Sequence, residues 1–166
     1  MRVELAHDGD EKKIIALLQQ YPLELGSMGR FMLAIIRDRI KSSSALVIKD
    51  NDILVCAALT RNRKRDNTNL IEHIAVSKDY QGAGYGKMMV NSIIESAIAQ
   101  SKSFITLTCL DGLPANKFYE HMGFKRAGVK VDKHGSFIIW QMPLERWSSE
   151  LMKSINKGRK IFNGKS

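Results

Sequence analysis

The chain has 166 residues, 44% of them hydrophobic, and a formal net charge of +9 at pH 7. That length fits one domain with a sizeable core, and no apolar run approaches the ~20 residues of a membrane helix. Cys56 and Cys109, the 2 cysteines, sit in apolar runs as free buried thiols, with no CxxC or Cys/His cluster to hold a metal.

In chain order, residues 3–6 read as a short strand. Asp8 or Asp10 can cap a helix over 10–20 whose buried side is Ile14, Ile15, Leu17 and Leu18, and Tyr21-Pro22 ends it. The N-terminal stretch MRVELAHDGDE has no apolar signal core, which with the free thiols points to a reducing, cytoplasmic setting. Residues 23–30 are a loop with two glycines, and a second helix covers 31–40. Strands at 45–48 and 53–60 flank the turn Lys49-Asp50-Asn51-Asp52 as a hairpin. A polar segment, 61–69, leads into the apolar, β-branched run LIEHIAV at 70–76, the central strand. The loop QGAGYGK follows, then a helix over 88–99 with Met89, Val90, Ile93, Ile94, Ala97 and Ile98 on one face. A β-rich run at 104–110 precedes a short helix at 114–121, opened by Pro114 and ended by Gly123. Strands at 124–130 and 137–142 flank a turn at 132–136.

Residues 1–143 make one domain, and 144–166 a basic, partly helical tail. Trp147, Leu151 and Ile155 give that tail a narrow apolar stripe, which docks on its own domain or offers a partner surface. The order β α α β β β α β α β β predicts an α/β (mixed α+β) fold, a mixed sheet with helices on both faces.

The glycines at 82, 84 and 86 tolerate φ > 0 and let a ligand approach the backbone. Successive N–H groups there form an anion nest, and the helix that follows adds the positive end of its dipole. A phosphate or pyrophosphate is the natural guest, with Lys87 as one more positive charge. Met88 follows Lys87, which excludes a Walker loop. GxGxG in mid-chain is a poor match to the dinucleotide fingerprint. Gln81-x-x-Gly84-x-Gly86 behind a strand ending Ile-Ala-Val resembles the acetyl-CoA pyrophosphate loop of the GNAT superfamily of N-acetyltransferases. Asn116-Lys117-Phe118-Tyr119-Glu120-His121-Met122-Gly123-Phe124 resembles that family's second signature. Together they cover 70–128, where the chain is similar to glucosamine-6-phosphate N-acetyltransferases; no such likeness precedes Leu70.

The resemblance implies a GNAT-like fold, a mixed, mostly antiparallel sheet of six to seven strands flanked by about four helices. It implies an enzyme moving an acetyl group from acetyl-CoA, the cosubstrate, to an amine-bearing acceptor by direct attack in a ternary complex, with no metal. The backbone of Ile74, Ala75 and Val76 would meet the pantetheine arm. Gln81, Gly82, Ala83, Gly84, Gly86 and Lys87 would hold the pyrophosphate. Tyr119 is the candidate acid, with an O–H of pKa ≈ 10 to protonate the departing thiolate. Glu72 is the candidate base, through water: residues 70, 72, 74 and 76 share one strand face, the parity on which family members carry a base. His73 has the better intrinsic pKa, but by that parity it points away and reads as a packed histidine. Gly112 stands where relatives place Asn or Asp, so Asp111 or Asn116 would have to replace that contact to the cofactor arm.

The basic run at 61–65 and the tail keep nucleic acid open as a second partner, although solvated surface charge is the favoured account. No membrane partner is expected, and a homodimer stays open. Two alternatives remain: a GNAT acting on aminoacyl-tRNA or a protein amine, and a non-catalytic CoA-binding module.

Overall fold

The computed structural model describes residues 1–22, 31–145 and 153. The loop at 23–30 and the stripe Trp147, Leu151 and Ile155 lie outside the described residues. Strands β1 (Val3–Leu5), β2 (Ala45–Asp50), β3 (Ile53–Arg63), β4 (Thr68–Val76), β5 (Phe104–Leu110), β6 (Lys125–Asp132) and β7 (Gly135–Pro143) form one sheet. Its spatial order is β1-β2-β3-β4-β5-β7-β6. β4 and β5 are parallel, and the other neighbours are antiparallel. Four α-helices accompany it among the described residues: α1 (Glu11–Leu18), α2 (Met32–Lys41), α3 (Tyr85–Ala99) and α4 (Ala115–His121). The expected mixed, mostly antiparallel sheet of six to seven strands is what the chain forms.

Each sheet face buries its own apolar cluster. Ile14, Leu17 and Leu18 of α1 and Met32 and Ile36 of α2 pack on Val47, Ala57, Leu59 and Ala75. On the other face, Met89, Val90, Ile93, Ile94 and Ala97 of α3 meet Ile48, Cys56, Ala58 and Ile71, with Tyr119 of α4 in the same cluster. The helical face legible at 88–99 is thus the one that is buried. Both cysteines are free and buried, and burial pushes the Cys56 thiol up to about 12.

Several boundaries differ from expectation. Residues 61–69 form the two arms of a β3–β4 hairpin, with Arg61 paired to Leu70 and Arg63 to Thr68. Ladder hydrogen bonds continue there although Arg61, Asn62 and Arg63 are solvated, so an apolar pattern had nothing to follow. Helix α3 starts at Tyr85, which puts Gly86 and Lys87 in its first turn. Asp10 flanks α1, but its carboxylate does not cap that helix. It accepts from the His7 N–H at 3.0 Å and pairs with Lys49 at 2.8 Å, almost fully buried.

Candidate active site

The site starts where β4 and β5 part. Their parallel pairing covers Thr68↔Phe104, Asn69↔Ile105 and Leu70↔Thr106. β5 then continues against β7 as far as Leu110, while β4 continues against β3. A wedge opens between them, and one edge of β4 faces it. Register identifies which backbone groups are on that edge. Ser77 N–H donates to Val55 O at 2.8 Å, flanking the Cys56↔Val76 pair. In an antiparallel ladder this makes Cys56↔Val76 a pair without mutual hydrogen bonds, and the pattern alternates along the strand. Val76 and Ile74 therefore turn their N–H and C=O into the wedge, while those of Ala75 bond to β3. The expectation that all three residues offer backbone groups is corrected: Ala75 contributes only its side-chain surface.

Beyond Val76 the chain makes a short 3₁₀ turn, Lys78–Tyr80, and enters the glycine loop. Gly82 has φ +79° and Gly84 φ +89°, with nothing within 4 Å of where a Cβ would stand. That left-handed backbone suits glycine, and it delivers the loop directly to α3. No side chain caps α3, and its first internal bond runs from Met88 N–H to Gly84 O at 3.0 Å. The N–H groups of Tyr85, Gly86 and Lys87 are left for a ligand at the positive end of a 15-residue helix. Gly86 has a second reason to be small: a Cβ there would stand 3.3 Å from the Phe118 ring.

This loop, the β4 edge and Phe118 line a cavity of ≈ 720 Å³. A second cavity of ≈ 750 Å³ opens on the other side of the wedge, lined by Arg39, Arg61, Glu72, His73 and His134 among apolar side chains. The two share Tyr21, Pro22, Ile74, Ala75, Ala115 and Tyr119. Tyr119 is only 7% exposed, held edge-on between Phe118 and Phe124 at 5.4 and 5.8 Å. It is both a packed aromatic and a wall of both cavities.

Glu72 and His73 sit where the strand alternation breaks. His73 pairs with Leu59 and Ile71 with Thr60, so β4 carries an extra residue there. Ile71 and Ile74, three apart, both join the α3 cluster. The parity that put Glu72 on the face of Ile74 and turned His73 away is corrected: the bulge leaves both lining the second cavity. Neither residue is alone. Arg39 Nε and Nη2 donate to the two Glu72 oxygens at 2.6 and 2.8 Å, and Arg61 Nε stands 3.4 Å away. The hydrogen bond to Glu72, opposed by burial, raises the Arg39 pKa, and Asp38 adds to the rise. Burial pushes the His73 imidazole below its ordinary value; Glu72 opposes that and Arg39 reinforces it.

Asn116 is engaged elsewhere. Its Nδ2 donates to Leu110 O at 2.8 Å and Leu113 O at 3.1 Å, and its Oδ1 accepts from Trp140 Nε1 at 2.9 Å. Both amide protons are taken within the fold, and Asn116 fastens α4 to β5 and β7. Tyr21 and Arg39 carry no functional signal in the sequence, because a tyrosine ending a helix and an arginine on a polar helix face form no pattern. Among the described residues no group of three His, Cys, Asp or Glu could hold a metal ion, and no helix is long and apolar enough to cross a membrane.

A family model described as an acetyltransferase (GNAT) domain matches residues 41–126, just over half of the 166. Glucosamine 6-phosphate N-acetyltransferase of Schizosaccharomyces pombe is 35% identical over 69 residues, 42% of this chain and 60% of that protein. N-acetylaspartate synthetase of Xenopus tropicalis is 33% identical over 75 residues, 45% of this chain and 27% of that protein. The match thus spans less than two thirds of either relative's length. An aminoglycoside 6′-N-acetyltransferase complexed with coenzyme A superposes with a TM-score of 0.73 at 16% identity, covering 87% of this chain and 97% of that one. The ribosomal-protein-S18-alanine N-acetyltransferase of Escherichia coli superposes at 0.66 with 18% identity, covering 86% and 93%. At such identities the structures attest the fold alone.

Proposed function

The chain belongs to the GNAT acetyltransferase family, and from that premise we propose that it is an N-acetyltransferase joining acetyl-CoA and a primary amine in one ternary complex. The observation that carries this reading is the pair of cavities meeting at Ile74, Ala75 and Tyr119. A cofactor arm entering from the glycine loop and an amine entering from the Glu72 side would meet there, held together rather than left to diffuse.

Acetyl-CoA, when bound, supplies an acetyl thioester and leaves as a thiol. The chain's own groups do the rest. The N–H groups of 82–87 and the α3 dipole hold the pyrophosphate. The Ile74 N–H, turned into the wedge, polarises the thioester oxygen as negative charge grows on it. The amine nitrogen bonds to the carbonyl carbon, and the carbon–sulfur bond breaks. Tyr119 Oη gives its proton to the sulfur and regains one from solvent. The proton lost by the amine goes to Glu72 through a water. A second reading of that last step has a specific support: both Glu72 oxygens already hold Arg39, whereas the neighbouring imidazole lines the same cavity and its lowered pKa favours the neutral, proton-accepting form. In that reading His73 takes the proton and the Glu72–Arg39 pair positions it.

The test is acetyl-CoA binding by calorimetry, followed by thiol release with a panel of amines. Glucosamine 6-phosphate and aspartate belong in the panel because of the relatives' names. An aminoacyl-tRNA belongs there because of the basic hairpin. Binding with turnover of one amine is the expected result. Binding without turnover of any amine, tRNA and peptide acceptors included, would leave a non-catalytic CoA module.

A further inference from the structure

Val76's carbonyl, on the open edge of β4, already has a partner. The hydroxyl of Tyr21, from the chain leaving α1, donates to it. The same hydroxyl accepts from Gln81 Nε2 at 2.6 Å. A phenol has one proton to give and lone pairs to accept with, so one atom ties together the α1 end, the β4 edge and the phosphate loop. Two further contacts hold that arrangement. Lys78 Nζ lies 5.8 Å over the Tyr21 ring, and the Lys78 N–H donates to Gln20 Oε1 at 3.0 Å. Tyr21 and Pro22 line both cavities.

A cofactor arm laid along β4 as an added strand bonds to the outward groups of Ile74 and Val76. Its amide N–H would approach the Val76 carbonyl from the wedge, where the Tyr21 hydroxyl already stands, and its pyrophosphate needs the loop whose Gln81 Tyr21 also engages. We propose that Tyr21 is a latch on the cofactor groove: its hydroxyl holds the place of the arm's amide on Val76, and it must let go before acetyl-CoA seats. Release also frees Gln81, so cofactor entry and the order of the phosphate loop are coupled through one side chain. Because Tyr21 walls the acceptor cavity too, its departure reshapes that cavity. The proposal rests on the acetyltransferase reading of the same groove.

Tyr21→Phe keeps the ring and removes the hydroxyl. Losing a competing hydrogen bond of ordinary net strength should tighten acetyl-CoA binding by about 5-fold. Stopped-flow association to the wild type should level off at high acetyl-CoA, because latch opening limits the rate; in Tyr21→Phe the plateau should rise or vanish. Adenosine 3′,5′-bisphosphate, which lacks the arm and the pyrophosphate, should bind both proteins alike. Equal or weaker acetyl-CoA affinity in a variant with unchanged circular dichroism would overturn the latch, as would an equal gain for the bisphosphate. Wild-type protein that does not bind acetyl-CoA at all would instead overturn the acetyltransferase reading, and the latch with it.

Discussion

In the proposed mechanism Tyr119 and the Glu72–His73 bulge divide the proton traffic between them, and each makes a prediction of its own. Tyr119→Phe keeps the edge contacts to Phe118 and Phe124 but removes the donor to sulfur. We expect kcat to fall ~10²-fold with acetyl-CoA affinity nearly unchanged; full activity would reduce Tyr119 to packing. For the base, pH separates the two neighbours. His73 is held below its ordinary ~6.5 by burial. If it accepts the proton, kcat/KM should rise through that lowered pKa and level off, and His73→Gln should erase this acidic limb. If Glu72 is the acceptor, His73→Gln keeps the limb, and the loss in Glu72→Gln shrinks as pH rises and the amine deprotonates unaided. Stability provides a control. The folded state keeps His73 neutral, so between ~6.5 and the lower folded pKa the unfolded chain binds more protons. This contribution to stability is full above ~6.5 and is lost as pH falls, a slope that urea titrations should find in the wild type and not in His73→Gln.

At the scale of elements, the glycine loop and α3 act as one device, and substitution can separate its two parts. Gly84 has room for a Cβ but the wrong φ for one. Gly84→Ala should therefore cost roughly 1–2 kcal/mol of stability, the ordinary penalty of left-handed backbone, and lower affinity only modestly. Gly84→Asp adds a carboxylate at the proposed pyrophosphate site and should abolish acetyl-CoA binding in calorimetry; unchanged affinity would sink the loop assignment. This device was legible in the sequence because glycine spacing and an amphipathic helix are local patterns. The β4 bulge was not. Strand parity assumes uninterrupted alternation, and the extra residue at 72–73 becomes visible only once Leu59 and Thr60 are paired across the hairpin. Asn116 illustrates the same limit: its partners Leu110, Leu113 and Trp140 come together only in the fold.

In the whole molecule, the wedge is a seam. β1 to β4 carry α1 and α2, while β5 to β7 carry α4, and three residue pairs join the two parts of the sheet in the β4–β5 ladder. α3 bridges them by packing under both. Element order and family likeness anticipated a mixed sheet with helices on both faces, yet not where the ladder ends: Glu72 and His73 interrupt the apolar run just past Leu70, but a polar pair within a strand does not say which neighbouring strand parts from it. A ligand filling the wedge bonds across the seam, and the β4 register says which amides will register it. Ile74 and Val76 turn their N–H groups into the wedge, and Ala75 bonds to β3. In hydrogen exchange, acetyl-CoA should slow the Ile74 and Val76 amides and leave Ala75, already protected, nearly unchanged. At one hundred times Kd it should add ~2.7 kcal/mol to the unfolding free energy, a rise of roughly 5–10 °C in Tm for a chain of this size. A Tm shift with uniform slowing of all three amides would mean that the ligand stabilises the fold without lying along β4. Protection of Ala75 alone would mean that the register has been read on the wrong edge.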